Sequence, residues 1–439
     1  MKPLLLLAAC AALLASCTKD KLGVSDDNLL ALIAEKARSG DSDYFVMPAS
    51  GDYAALPNQD PSNPVTEEKV QLGKLLFFET GLAQDANTQE ANETFSCATC
   101  HVPESGFLPG RIQGIADGAI GFGDQGDGRV TLSAYAESEL DAQGVRPLTV
   151  MNVTYMTNTL WSGSFGAEDK NIGTEASWTG DTEINHEGFA GIESQNIEGL
   201  HLHRMAINDK VLNEYGYAER FDEAFPNTPV AERYTTVTAS FAIAAYLRTL
   251  LTNTAPFQRY LKGDQDAMFE SEKRGAILFF DKANCVSCHS GPSFSSMNFV
   301  SLGTKDLYEA GGLNTSADDP RNLGRAFLTG AESDMYRFKV PQLYNLRDYK
   351  TFFHGSSKTS IEEVLDYKMT AKSENPNVSD SQVPLRPLLL SDIEKEDLIN
   401  FLTYGLYDAN MLRYVPETVL SGNCLPNNDP KSKADLGCN

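Results

Sequence analysis

The chain is sparing with the residues that most often carry chemistry. Histidine occurs six times in 439 residues, tryptophan twice and cysteine eight times. Basic side chains are outnumbered, 36 Lys and Arg against 60 Asp and Glu, for a formal charge of −24. That deficit argues against a nucleic-acid partner, whose phosphates need a basic face, and favours basic partner proteins or plain solubility. After residue 14 no apolar run is long enough to span a bilayer. Alternating strand patterns are scarce, so the expected class is mainly α.

What is present begins at the N-terminus. Met1-Lys2-Pro3 precedes an apolar run from Leu4 to Leu14 and then Ala15-Ser16-Cys17. The run is too short to cross a membrane and resembles a lipoprotein signal peptide, with Cys17 as the lipidated first residue of an exported chain. An ordinary signal peptide cleaved nearby is the alternative, and either implies export. Residues 18–64, rich in Ser, Asp, Asn and Pro and with little apolar periodicity after Ile33, read as a flexible tether from the membrane to the folded body.

Two five-residue motifs dominate the remainder: Cys97-Ala98-Thr99-Cys100-His101 and Cys285-Val286-Ser287-Cys288-His289. Two thiols at this spacing can each form a thioether to one porphyrin edge, and the adjacent imidazole becomes an axial iron ligand. A zinc site wants two close cysteine pairs and a redox CxxC wants a βαβ context, so covalent haem c is the reading for both copies. With those four thiols used, Cys10 in the signal and Cys17 lipidated, Cys424 and Cys438 remain for a disulfide that closes the C-terminal tail.

The surroundings of the motifs repeat as well. Gly73-Lys74-Leu75-Leu76-Phe77-Phe78-Glu79 precedes the first and Gly275-Ala276-Ile277-Leu278-Phe279-Phe280-Asp281 the second, as one unit used twice. Thr80 to Ser96 is an insertion peculiar to the first. Thr66 and Ser271 are the expected caps of the two repeat helices, Val237 to Leu251 an apolar helix, and Ser391 with Glu394 a capping box before a terminal helix. The expected organisation is a signal at 1–17, the tether at 18–64, a first haem domain at 65–255, a second at 256–415 and a tail at 416–439.

With these residues in view the chain resembles the bacterial dihaem cytochrome c peroxidases and the related dihaem oxidases that mature tryptophan-derived quinone cofactors. The resemblance runs from about Val70 to Leu406. It rests on Leu72-Gly73-Lys74-Leu75-Leu76-Phe77, Arg146-Pro147-Leu148-Thr149-Val150-Met151-Asn152, Leu160-Trp161-Ser162-Gly163, Phe338-Lys339-Val340-Pro341-Gln342-Leu343-Tyr344-Asn345 and Phe352-Phe353-His354-Gly355. It implies two cytochrome c-like domains packed together, a first haem that reacts with hydrogen peroxide, and a second through which electrons enter from a small periplasmic donor such as a cytochrome c or cupredoxin. Two haems suit a two-electron reduction.

The resemblance also implies roles for single residues. Glu198 falls on the catalytic Glu, with Glu193 as alternate, and Trp161 on the Trp between the haems, where a plain core aromatic is the alternative. Trp178 lies in an apparent insertion. Many relatives block the first iron with a His soon after the first motif. Here no His occurs between His101 and His186, so the first haem is expected to be five-coordinate or water-bound. The second haem's sixth ligand is expected to be Met369, with Tyr367 and Lys368 beside it and Met335 and Met297 as further candidates. His354 is expected to order the second pocket, and His186, His201 and His203 to be solvated or structural, although His201 and His203 alternate like a metal pair. A calcium ion between the domains is allowed, although Arg146 stands where many relatives use Asn, and so is a homodimer. The rival readings are a peroxide-dependent oxidase that modifies a partner protein, favoured if Tyr367 binds iron, and a passive dihaem electron carrier.

Overall fold

A computed structural model describes residues 23–438; the signal peptide and Cys17 lie outside these residues. Twelve α-helices and two small antiparallel sheets are present among them, in keeping with the mainly α class. No helix among the described residues is long and apolar enough to cross a membrane.

In chain order, α1 (Asp26–Lys36) is followed by α2 (Glu67–Phe78), the first repeat helix. Then come β1 (Ala119–Ile120) and β2 (Val130–Thr131), α3 (Gly191–Leu202), α4 (Tyr217–Ala224), α5 (Val230–Arg233) and α6 (Thr236–Arg248). The second half holds α7 (Pro256–Leu261), α8 (Glu270–Phe280), β3 (Ser296–Val300), α9 (Ala326–Thr329), β4 (Phe338–Val340), α10 (Ile361–Thr370) and α11 (Asp392–Asn400), and α12 (Pro430–Leu436) closes the chain. β1 pairs with β2 through Ala119 and Thr131, and β3 with β4 through Val300 and Phe338.

The repeat seen in the sequence has one packing purpose. α2 starts where the Thr66 hydroxyl accepts the Lys69 amide at 3.3 Å, with Glu67 and Glu68 favouring the positive end of the helix. It then crosses α6 so closely that a Cβ on Gly73 would stand 1.9 Å from the Ala242 carbonyl oxygen. In the second half α8 crosses α11, and a Cβ on Gly275 would stand 2.0 Å from the Asp397 carbonyl oxygen. The shared glycine is what lets each repeat helix lie against its partner. The phenylalanines behind it fill the core: Phe77 meets Tyr246 at 5.6 Å between centroids, and Phe279 meets Phe294 at 4.9 Å.

Two expectations are corrected. Ser271 is inside α8 and does not cap it; the helix starts after Phe269, whose amide is held by the Glu272 carboxylate at 3.1 Å. Nor do the described residues of the tether hang free. Leu29, Ile33, Phe45 and Met47 are fully buried, Lys273 pairs with Asp26 at 2.7 Å, and the Gln258 amide holds the Met47 N–H and the Phe45 carbonyl at 2.8 and 2.9 Å. The segment is a strap that starts on the second half and reaches the first by Asn58, whose amide donates to the Thr154 carbonyl at 2.9 Å, and Asn63, whose amide donates to Glu193 at 3.1 Å. Among its larger apolar side chains Leu29, Ile33, Phe45, Met47 and Leu56 are buried, which mean composition hides.

The C-terminal tail likewise returns to the first half. Ser96, next to the first haem motif, donates to the Pro426 carbonyl at 2.9 Å, and Asp429 accepts the Gly121 amide at 3.0 Å. Cys424 and Cys438 form the expected disulfide.

Candidate dihaem site

Both motifs sit on single tight turns, Cys97–Thr99 and Cys285–Ser287, and each histidine amide returns to the first cysteine's carbonyl, at 3.1 Å for His101 and 2.9 Å for His289. Those turns bring both thiols of a motif and its imidazole to one wall. His101 Nδ1 lies 3.0 Å from the Phe107 carbonyl; His289 Nδ1 lies 3.0 Å from that of Phe294 and 3.1 Å from that of Pro341. A carbonyl only accepts, so Nδ1 carries the hydrogen in each ring and Nε2 is left with its lone pair, the arrangement that fixes a metal-binding histidine. Burial lowers both imidazoles to about 4, which keeps them neutral at ordinary pH. The four thiols are free of disulfides.

The two motifs open on one cavity of about 1190 Å³, larger than the roughly 300–1,000 Å³ of an ordinary small-molecule site. Its walls are mostly apolar, with Leu148, Val150 and Met151 toward the first motif and Phe353, Val364 and Leu365 toward the second. Between them stands Arg146, fully buried. Its Nε donates to the Phe353 carbonyl at 2.7 Å, while Nη1 has no partner among the described residues. Burial lowers the guanidinium to about 10, so it still holds its charge. A buried cation with an orphaned N–H on the wall of an apolar cavity fits an anionic group carried by an otherwise greasy ligand. Haem, with its propionates, is such a ligand, and the donor set fits it at both motifs.

Trp161 lines the same cavity, 6% exposed. Its indole N–H donates to the Arg146 carbonyl at 2.6 Å, and its ring lies 6.4 Å from both Phe338 and His354. His354 stacks on Phe338 at 3.6 Å and holds Asp306 through Nε2 at 2.8 Å. Trp178, by contrast, lies outside the cavity against His186, whose Nε2 is 3.2 Å from the Trp178 carbonyl.

α3 changes the expected assignment on the first side. Ile192, Gln195, Asn196, Gly199 and His203 line the cavity as one helical stripe. Glu198 is not on it: at about 100° per residue it points about 115° away. It lies 3.2 Å from the exposed His201 instead. Glu193 is no substitute, since it is fully buried against Arg248 at 2.6 Å behind the helix. The cavity-facing position belongs to Gly199, beside which a Cβ would meet nothing within 4 Å.

The acid–base group that does reach this wall is His203, which was expected to be structural. Its Nδ1 is 2.7 Å from Asp141, another lining residue, and Nε2 has no partner among the described residues. Burial alone would lower the imidazole, but the Asp141 carboxylate outweighs it and raises the pKa, and the histidine in turn helps lower that of Asp141. The signal was in the sequence as the i, i+3, i+4, i+7 spacing from Ile192 to Gly199, which His203 continues at i+11. His201 and His203 point apart, so they form no metal pair. Of the His-free loop 102–129, Ala116 is the residue that lines the cavity.

On the second side α10 offers Lys368 and Met369 to the cavity. Tyr367 is turned away, its hydroxyl donating to the Leu302 carbonyl. Met335 is 38% exposed at the surface, and neither it nor Met297 lines the cavity.

Comparison with known proteins agrees with this geometry. A family profile described as Di-haem cytochrome c peroxidase matches residues 67–266. The methylamine utilization protein MauG of Methylorubrum extorquens is 29% identical over 342 residues, 78% of this chain and 79% of that protein. Cytochrome-c peroxidase IdrP1 of a Pseudomonas species is 27% identical over 366 residues, 77% and 81% of the two chains. Among solved structures, a MauG-like protein associated with microbial copper homeostasis superposes with a TM-score of 0.57 at 23% identity, covering 83% of this chain and 96% of that one. The diheme peroxidase BthA of Burkholderia thailandensis gives 0.51 at 16%, covering 83% and 91%. Fold and site thus define a helical protein with two c-type haem positions. Over residues 67–266 the chain resembles the di-haem cytochrome c peroxidases, and it resembles individual proteins of that kind over about three quarters of its length.

Proposed function

We propose that the protein is a dihaem c-type peroxidase that reduces hydrogen peroxide to water with electrons from a small redox protein such as a cytochrome c or cupredoxin. The observation that carries this reading is the single cavity onto which both motifs and Trp161 open, with an acid–base dyad on the wall near the first motif. The haems supply the redox chemistry. His203 Nε2 takes the proton from one peroxide oxygen and returns it to the other as the bond between them breaks, and Asp141 stabilises the imidazolium in between. Two further protons and two electrons complete the balance to two waters. Gly199 leaves room for the substrate, while Gln195 and Asn196 offer amides to orient it. Trp161 offers an oxidisable ring on the path between the two sites. Arg146 would hold the negative charge of the propionates, and its fixed cation takes the calcium out of this reading.

The partner-modifying oxidase is the second reading; the outward turn of Tyr367 weighs against it. Export with a lipid on Cys17, a periplasmic location and a homodimer belong to the proposal on sequence grounds and resemblance alone. The test is to mix the oxidised, haem-loaded protein with hydrogen peroxide and a reduced cytochrome c. Prompt oxidation of the donor, two molecules per peroxide, is expected. Consumption of no peroxide, with two six-coordinate low-spin haems, would mean a passive carrier and sink the proposal.

A further inference from the structure

Resting on the reading that haem is attached at Cys285 and Cys288, we infer that the Lys368 amine is the sixth ligand of that haem's iron. On α10 the residues Ile361, Val364, Leu365, Lys368 and Met369 face the cavity. At about 100° per residue, Lys368 falls within about 15° of the mean direction of Ile361, Val364 and Leu365, whereas Met369 falls about 90° off it. Lys368 is therefore at the centre of the apolar stripe and Met369 on its flank.

The phase of the helix is pinned from outside. Ser360 caps it through the Glu363 amide at 3.1 Å, Tyr367 is tied to the Leu302 carbonyl, and Lys395 holds Asp366 at 2.6 Å and Glu362 at 3.3 Å. With three attachments on the far side, the central position cannot turn away without breaking them.

The amine has nothing else to do. Lys368 makes no hydrogen bond or ion pair among the described residues, and its Nζ lies 6.0 Å from the centre of the Phe353 ring. A long cationic side chain normally snorkels to water or finds a carboxylate; this one is directed into an apolar cavity that also holds His289. Ligation gives the amine the partner that the described residues do not supply. The Nζ lone pair forms the bond to iron(III), the ammonium proton passes to solvent, and no electron changes hands.

The test uses the haem-loaded protein, with haem counted per chain by pyridine haemochrome. Electron paramagnetic resonance and near-infrared magnetic circular dichroism of the oxidised protein are expected to show one low-spin haem without a sulfur-to-iron charge-transfer band. Lys368→Ala should turn that half of the haem high-spin. Lys368→Met should keep it low-spin and add the sulfur band, and Met369→Leu should leave the spectrum unchanged. A sulfur band in the unmodified protein, or loss of the low-spin component in Met369→Leu, overturns the assignment. Absence of haem from Cys285 and Cys288 overturns the dihaem reading and the ligand with it.

Discussion

Replacing His203 by Gln is the sharpest perturbation of the chemistry. Gln keeps approximate size and one hydrogen bond to Asp141 but cannot shuttle a proton. The dyad is close, 2.7 Å, and both members line the cavity, so the whole acid–base contribution should vanish. Such groups contribute about 10²- to 10⁴-fold in rate, or about 3–6 kcal/mol of barrier at roughly 1.4 kcal/mol per decade. Asp141→Asn retains the imidazole and loses its orientation and charge, so a smaller fall, about 10- to 100-fold, is expected by analogy with supporting carboxylates behind metal-bound histidines. Because Asp141 raises the His203 pKa, the activity limb that rises as His203 loses its proton should move to lower pH in Asp141→Asn. The double variant should be no worse than His203→Gln, since the two act as a unit. The assay is kcat/KM for hydrogen peroxide at saturating reduced donor across pH 5–9. A His203→Gln enzyme within about threefold of the parent, or a Glu198→Gln enzyme down by about 100-fold, would refute the dyad and restore a carboxylate mechanism.

Arg248 and Glu193 form a buried pair, 1% and 0% exposed, that sets the rotation of α3 and hence where Gly199 and His203 point. Arg248→Met, which strands the carboxylate, should cost about 3–5 kcal/mol in a guanidinium titration, and a loss under about 1 kcal/mol would show the pair to be incidental. Gly275→Ala pushes a methyl to 2.0 Å from the Asp397 carbonyl oxygen; it should destabilise the second half by about 1–3 kcal/mol and lower haem attachment at Cys285 and Cys288, read as haem per chain. Lys339 is fully buried with its Nζ on the Asn158 carbonyl at 2.6 Å, and burial lowers its pKa from 10.5 to about 7. Between those two values the unfolded chain binds the extra proton, so stability should rise with pH across that window and lose this slope in Lys339→Met; equal pH profiles for the two proteins would contradict it.

The sequence by itself determined the features whose chemistry is local. CxxCH needs only consecutive residues, so both haem positions were legible, as were the caps at Thr66 and Ser391 and the glycine-and-phenylalanine repeat. The disulfide followed once the other cysteines had uses. Sites made across the chain were not legible in that way. Glu198 and Gly199 are neighbours in sequence, and which of them meets substrate depends on the rotation of α3, fixed from α6 by Arg248. Similarly, Tyr367, Lys368 and Met369 are one run of side chains until the contacts of Leu302 and Lys395 choose the face that α10 presents. The strap at 23–64 looked like a tether because its large apolar residues are diluted by polar ones, and only the fold shows that Leu29, Ile33, Phe45, Met47 and Leu56 are buried. His203 gained a role only when the fold brought Asp141, 62 residues away, to its Nδ1. Side-chain direction on a helix is a property of what the other side of that helix is bonded to, and tertiary structure alone supplies it.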